Sequence, residues 1–143
     1  MKYRTIIDET HEEEVIIYAH KRTELVESIE SLVSESTAEL LGYDGNNAVI
    51  LNLSEIIYFT VEDNKVYAVS EKGKYRLKQR LYVVEEIVDR NFVKINQSCI
   101  ANIRKIVRFD SSFSGSLSVI FKNGYRDYVS RRQLKTVKER IGL

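Results

Sequence analysis

The chain of 143 residues has no proline, no tryptophan and a single cysteine. One thiol, Cys99, excludes an intramolecular disulfide and fits a reducing compartment. No proline interrupts any candidate element, and there is no low-complexity tract or internal repeat. Long apolar runs are also missing, since none approaches the roughly 20 residues needed to cross a bilayer. The opening MKYRTIIDETHEEE lacks an apolar core and a small-residue cleavage site, so no secretory signal is expected. A soluble, cytoplasmic protein is the expectation. Catalytic motifs are equally scarce. His11 and His20, the only histidines, lie in an acidic stretch without Cys or HExxH context for a metal. The six glycines form neither GxxxxGK[ST] nor GxGxxG. Cys99 has no histidine nearby in sequence, and Glu85-Glu86 reads as solvated helix surface. With no nucleophile–base pair to assemble, no enzyme, cofactor, metal or small-molecule substrate is expected.

What the chain has is a division of charge that its net of +1 conceals. Residues 1–47 carry four Lys/Arg against eleven Asp/Glu, a net of −7. Residues 48–143 carry eighteen bases and ten acids, a net of +8. A basic stretch of domain size behind a short acidic one suggests a polyanion-binding unit with a separate handle. Hydrophobic content of 43% and charged content of 30% are those of a globular chain, not a disordered one.

The hydrophobic pattern gives a mainly β, α+β reading. Tyr3–Ile7 and Val15–Tyr18 are β-branched runs of strand length around a polar turn at Asp8–Glu14. From Thr23, a candidate N-cap, Leu25, Val26, Ile29, Leu32 and Val33 form one stripe of an amphipathic helix. This β-β-α segment is too small to bury a core alone. Strand pairs then follow at 40–43 with 48–51, and at 56–59 with 66–69. Leu77, Leu81, Val84 and Val88 repeat at helical spacing, and strands resume at 92–95 and around 106–109. Asn123-Gly124 marks a type I′ hairpin, with positive φ expected at both residues. Its second strand alternates imperfectly, Tyr128 matching Val119 but Arg126 facing Phe121. A last helix runs from the N-cap Ser130 to about Ile141, with Leu134, Val137 and Ile141 buried.

Polar and basic residues gather at three bends. Asn96-Gln97-Ser98 follows a strand, and Asn102-Ile103-Arg104-Lys105 comes soon after. Amides match the adenine edge in a major groove, arginine matches guanine, and Ser or Lys more often holds phosphate. Asn96 and Asn102 could equally cap turns through local backbone bonds. At Ser130-Arg131-Arg132-Gln133, two cations oppose the helix dipole unless an anion compensates. Arg131, Lys135 and Lys138 continue a basic stripe opposite the apolar one. Polyanion binding is preferred here to local pairing with Asp127 and Glu139.

These residues carry a resemblance. Phe92-Val93-Lys94-Ile95-Asn96-Gln97-Ser98-Cys99-Ile100-Ala101-Asn102-Ile103-Arg104-Lys105-Ile106 resembles the signature of LytTR-type DNA-binding domains. Phe121-Lys122-Asn123-Gly124 and Val129-Ser130-Arg131-Arg132-Gln133-Leu134-Lys135 follow in that family's order, and Ile56-Ile57-Tyr58-Phe59 matches its opening strand. The resemblance covers roughly residues 48–143. It implies a bacterial transcription regulator built as an elongated antiparallel β-sandwich, preceded by the short β-β-α segment and closed by a C-terminal helix. Such domains insert loops into successive major grooves of double-stranded DNA, commonly at paired direct repeats. The family's base-reading positions correspond to the Asn64-Lys65-Val66-Tyr67 stretch, to Gln97 beside Ser98, and to Arg132. Departures are Asn96, where many members have histidine, and a first loop without the usual glycine, so sequence preference does not transfer.

The expected organisation is therefore an acidic segment at 1–45, regulatory or self-associating, and a LytTR-type domain at 46–143. The segment is too short for a receiver domain and resembles the extension of stand-alone members, often encoded beside a small membrane protein that restrains them. The expected DNA-contact set is Asn64, Lys65, Tyr67, Asn96, Gln97, Ser98, Asn102, Arg104, Lys105, Ser130, Arg131, Arg132 and Lys135. Within it, Lys65, Arg104, Lys105, Arg131 and Lys135 anchor phosphates, while Gln97 and Arg132 read bases with help from the Asn64 loop. A homodimer, at least on DNA, is expected. The alternative is a basic adaptor that docks an acidic partner or an anionic membrane surface.

Overall fold

A computed structural model describes residues 1–34, 39–112 and 115–143. Among these described residues ten strands fall into two antiparallel sheets. The larger contains β1 (Glu39–Asp44), β2 (Asn47–Asn52), β3 (Ile56–Glu62), β4 (Lys65–Ser70), β5 (Gly73–Leu77), β6 (Phe92–Asn96) and β7 (Cys99–Asn102) in the order β2-β1-β5-β4-β3-β7-β6. The smaller contains β8 (Ile106–Ser111), β9 (Leu117–Phe121) and β10 (Arg126–Val129) in the order β10-β9-β8. Helix α1 spans Glu24–Ser34, α2 Leu81–Ile87 and α3 Arg131–Ile141. None of these helices is long and apolar enough to cross a membrane.

Strand β3 explains the layering. Its first five residues are all buried, as in a strand covered on both faces. Ile56 and Phe59 enter one core with Leu51, Leu53, Ala68, Leu77, Val84 and Ile100. Ile57 and Tyr58 enter a second core on the opposite face. There they meet Ile95, Cys99 and Ala101, together with Val119 and Phe121 of the small sheet and Val137 of α3. A register shift between Ile56 and Tyr58 breaks the strict alternation and sends two consecutive side chains into the same core. Burying a side chain such as Phe59 contributes roughly 1.5–3 kcal/mol.

Two turns set the geometry of the ends. Asp63 and Asn64, at φ 49° and 62°, make the tight β3–β4 turn, a left-handed pair that Asp and Asn tolerate. In the β9–β10 turn only Gly124 has positive φ, so the expected two-residue type I′ turn is corrected. Gly124 N–H donates to Phe121 O at 2.9 Å and Phe121 N–H to Tyr125 O at 2.9 Å, which closes a three-residue loop. The extra residue slips β10 by one position, pairing Arg126 with Ile120 and Asp127 with Val119. A slip of one exchanges the faces of the whole strand. Asp127 therefore turns toward the large sheet, and Tyr128 toward solvent.

Two further expectations are corrected. No strand forms among residues 1–23: the Asp8–His11 turn is made, but the runs beside it pair with no strand among the described residues. An isolated two-stranded hairpin is marginal in water, so β propensity alone does not close it. Leu77 lies in β5 opposite Val66, and the helix begins only at Leu81, after an extended Arg80. Strand β1, placed on sequence mostly in the acidic segment, is hydrogen-bonded between β2 and β5. Gly42 of β1 sits where a Cβ would stand 2.9 Å from Tyr75 Cβ and 2.6 Å from Leu51 Cδ1. Gly42→Ala should cost about 1–3 kcal/mol by overpacking, read as a lower midpoint in urea unfolding with an unchanged slope.

Candidate nucleic-acid interface

The β3–β4 turn, the β6–β7 turn and the start of α3 lie at one end of the large sheet. Thr60 pairs with Cys99, and Val61 N–H donates to Ser98 O at 3.0 Å, joining the first two. Ser130 N–H donates to Ile95 O at 2.8 Å, joining the third. Asn64, Lys65, Gln97, Ser98, Arg131 and Arg132 all expose their side chains.

Asn96 holds this end together. It is 2% exposed, and its amide is committed inside the protein. Nδ2 donates to Asp127 Oδ1 at 3.0 Å and to Tyr128 O at 2.9 Å. Oδ1 accepts from Ser98 N–H at 2.8 Å, an Asx turn that shapes the Gln97-Ser98 bend. Asn102, 3% exposed, is likewise internal: Nδ2 donates to Ile56 O at 2.8 Å and Oδ1 accepts from Arg104 N–H at 3.1 Å. Both were expected among the DNA contacts. Their buried, satisfied amides correct that expectation and leave them as positioning residues.

The start of α3 is open. Ser130 occupies the N-cap without a side-chain cap bond, and no acid stands in the first turn. Asp127 is taken up by Asn96, by its own neighbour Tyr128 N–H at 2.8 Å and by the Tyr125 hydroxyl at 3.4 Å. Among the described residues Arg131, Arg132, Lys135 and Lys65 form no ion pair, so the local pairing weighed above is not made. Free N–H groups and two guanidinium groups at a helix start favour an anion.

Other expected residues lie elsewhere. Arg104 and Lys105 follow Asn102, three residues along β7 from Cys99, roughly 10 Å at strand rise. They neighbour Lys122, whose N–H donates to Lys105 O at 2.9 Å, and are not brought to the Gln97 end. The Tyr67 ring is half-buried under the Lys74 ammonium at 4.5 Å, while Lys74 pairs with Glu62. Sequence reasoning passed over Lys78, which follows Leu77 next to the start of β4 and lies 4.7 Å over the Tyr43 ring. The signal was the run Lys78-Gln79-Arg80 directly after a strand.

Beneath this end the Tyr58 and Tyr125 rings stack at 4.6 Å between centroids. Burial, then the nearby Asp127 charge, pushes the Tyr125 phenol up to about 12. Burial likewise pushes the Cys99 thiol far above its ordinary range, with Asp127 adding to the effect. Among the described residues no group of three or more His, Cys, Asp or Glu is placed to hold a metal.

An antiparallel sandwich with amide and guanidinium groups gathered at one sheet end is a binding module. The chain belongs to the LytTR family: residues 46–142 match the family model of the LytTr DNA-binding domain. Over 100% of its length it is 32% identical to an uncharacterized HTH-type transcriptional regulator of Staphylococcus aureus strain NCTC 8325, covering 99% of that protein. The same identity and coverage hold for a relative of the same description in strain MW2. Among the described residues no two helices follow one another without an intervening strand, so the helix-turn-helix in those names has no counterpart there. The fold is similar to the LytTr DNA-binding domain of a Bacillus cereus protein described as a methyl-accepting/DNA response regulator. That likeness has a TM-score of 0.70 at 18% identity, covering 76% of this chain and 100% of that one.

Asn96→Ala should cost on the order of 1–3 kcal/mol for each buried partner left unsatisfied, read by chemical unfolding. Tyr125 supplies a pH test. Its folded-state pKa is raised, so its contribution to stability is intact below about pH 10 and is lost as pH rises toward 12. Tyr125→Phe should remove part of the alkaline fall in melting temperature while leaving the neutral limb similar in shape.

Proposed function

We propose that this protein is a sequence-specific transcriptional regulator that grips double-stranded DNA with the bend-lined end of its large sheet. Gln97 and Arg132 read base edges, and the Asn64 turn adds contacts in a neighbouring groove. Lys65, Arg131, Lys135 and the open N–H groups after Ser130 anchor phosphates, with Ser98 beside them. Lys78 joins this set, while Arg104 and Lys105 act at a separate position along the duplex. The observation that carries the reading is the joining of three bends, far apart in sequence, by the Val61–Ser98, Ser130–Ile95 and Asn96–Asp127 bonds. Unpaired guanidinium groups beside exposed amides suit both phosphate and base edges.

Bends that follow the backbone through successive major grooves favour two copies at paired direct repeats, hence a homodimer on DNA. The protein works in the cytoplasm, where its DNA is, and a small membrane protein regulator is a candidate partner for the N-terminal segment. Selection of bound genomic fragments gives the site and the half-site spacing.

Two substitutions separate reading from anchoring. Arg132→Ala should lose roughly 1–3 kcal/mol on the selected site and relax the preference at one base pair, with a smaller loss on random duplex. Lys135→Ala should weaken all duplexes similarly and lower the slope of log affinity against log salt by about 1. Equal losses on specific and random DNA for Arg132→Ala would remove it from the base-reading role.

A further inference from the structure

Residues 1–22 make no strand, yet they are not built like a solvated tail. On either side of the Asp8–His11 turn lie Tyr3, Ile6 and Ile7, and then Val15, Ile16 and Tyr18, all exposed. Exposure reaches 94% at Tyr3 and 92% at Tyr18. Their backbone N–H and C=O groups are also unused. Among the described residues of this stretch, the one backbone bond is His11 N–H to Asp8 O at 3.4 Å. Two extended runs with apolar side chains and unsatisfied edges are a template for another chain.

The charges say which chain. Asp8, Glu9, Glu12, Glu13 and Glu14 all lie at or next to the turn. The bases Lys2, Arg4 and Lys21 lie at the far ends of the two runs, and Arg22 beyond them is already paired with Glu30 and Glu27 of α1. With the runs side by side, the segment has an acidic tip and a basic foot. Docking on the chain's own basic region would satisfy the tip but set the foot against like charge. A second copy laid antiparallel satisfies both ends at once, tip to foot twice over, as a two-fold interface requires. A parallel arrangement opposes tip to tip and is disfavoured.

We propose that residues 1–22 are a self-association module, in which the two β-branched runs pair antiparallel with those of a second copy and opposite charges set the orientation. Exposed Leu25 and Leu32 of α1 extend the apolar surface beyond the foot. On the other side Glu30 pairs with Arg90 at 2.7 Å, which ties α1 to the DNA-binding domain. The association does not rest on the DNA reading and forms without DNA.

The test is a charge exchange on the full chain, followed by sedimentation without DNA at micromolar concentration. One variant carries Glu12→Lys, Glu13→Lys and Glu14→Lys. The other carries Lys2→Glu, Arg4→Glu and Lys21→Glu. The wild type is expected to be dimeric, and each variant alone to associate roughly tenfold or more weakly, since exposed pairs are individually small but act here in concert. An equimolar mixture of the two variants should restore the dimer, because each tip then meets a foot of opposite sign. Circular dichroism and thermal unfolding check that the sheets are intact in both. A monomeric wild type, variants that associate as the wild type does, or a mixture that stays monomeric would each overturn the proposal.

Discussion

The carboxamide of Asn96 is the fastening on which the exposed end of the sandwich depends. One side chain makes one acceptor and two donor contacts with three partners: the Ser98 N–H of its own turn, and the Asp127 carboxylate and Tyr128 carbonyl of β10. These bonds hold the Gln97-Ser98 bend to β10, and β10 leads directly into α3. Beside them, the bond from Ser130 N–H to Ile95 O and apolar packing hold the helix start to this end. A buried amide linking surface turns is well suited to this, because its bonds are directional where packing is not.

That arrangement depends in turn on a slip of one residue. Had the β9–β10 turn closed with two residues, Tyr128 would have faced the large sheet and Asp127 solvent. The third loop residue turns Asp127 inward, where it receives Asn96 and the Tyr125 hydroxyl. It also withdraws Asp127 from Arg131 and Arg132. The same carboxylate thus fastens the bend and leaves the cations at the helix start unneutralised.

Much of this was legible in the sequence, and the misses have physical causes. Strands, the α3 stripe and the convergence of the Asn64, Gln97 and Arg132 stretches followed from alternation, turn chemistry and a family resemblance. The helical spacing of Leu77 with Leu81 was accidental, because a strand residue and a helix residue in one core can share that interval. The Asn123-Gly124 pair gave the position of a hairpin but not its loop length, and register depends on the latter. Asn96 and Asn102 could be read as contacts or as caps. Only burial decides between these, and burial is a property of the whole fold. Residues 1–23 had strand propensity without a partner strand among the described residues to realise it.

Cys99 gives the molecule a further property. Its side chain is fully enclosed between the two layers, and burial holds its sulfur in the unreactive protonated form. As the sole thiol, it has no competing site elsewhere in the chain. Alkylation at neutral pH would thus record how often the layers part, a built-in clock for the breathing of the interior.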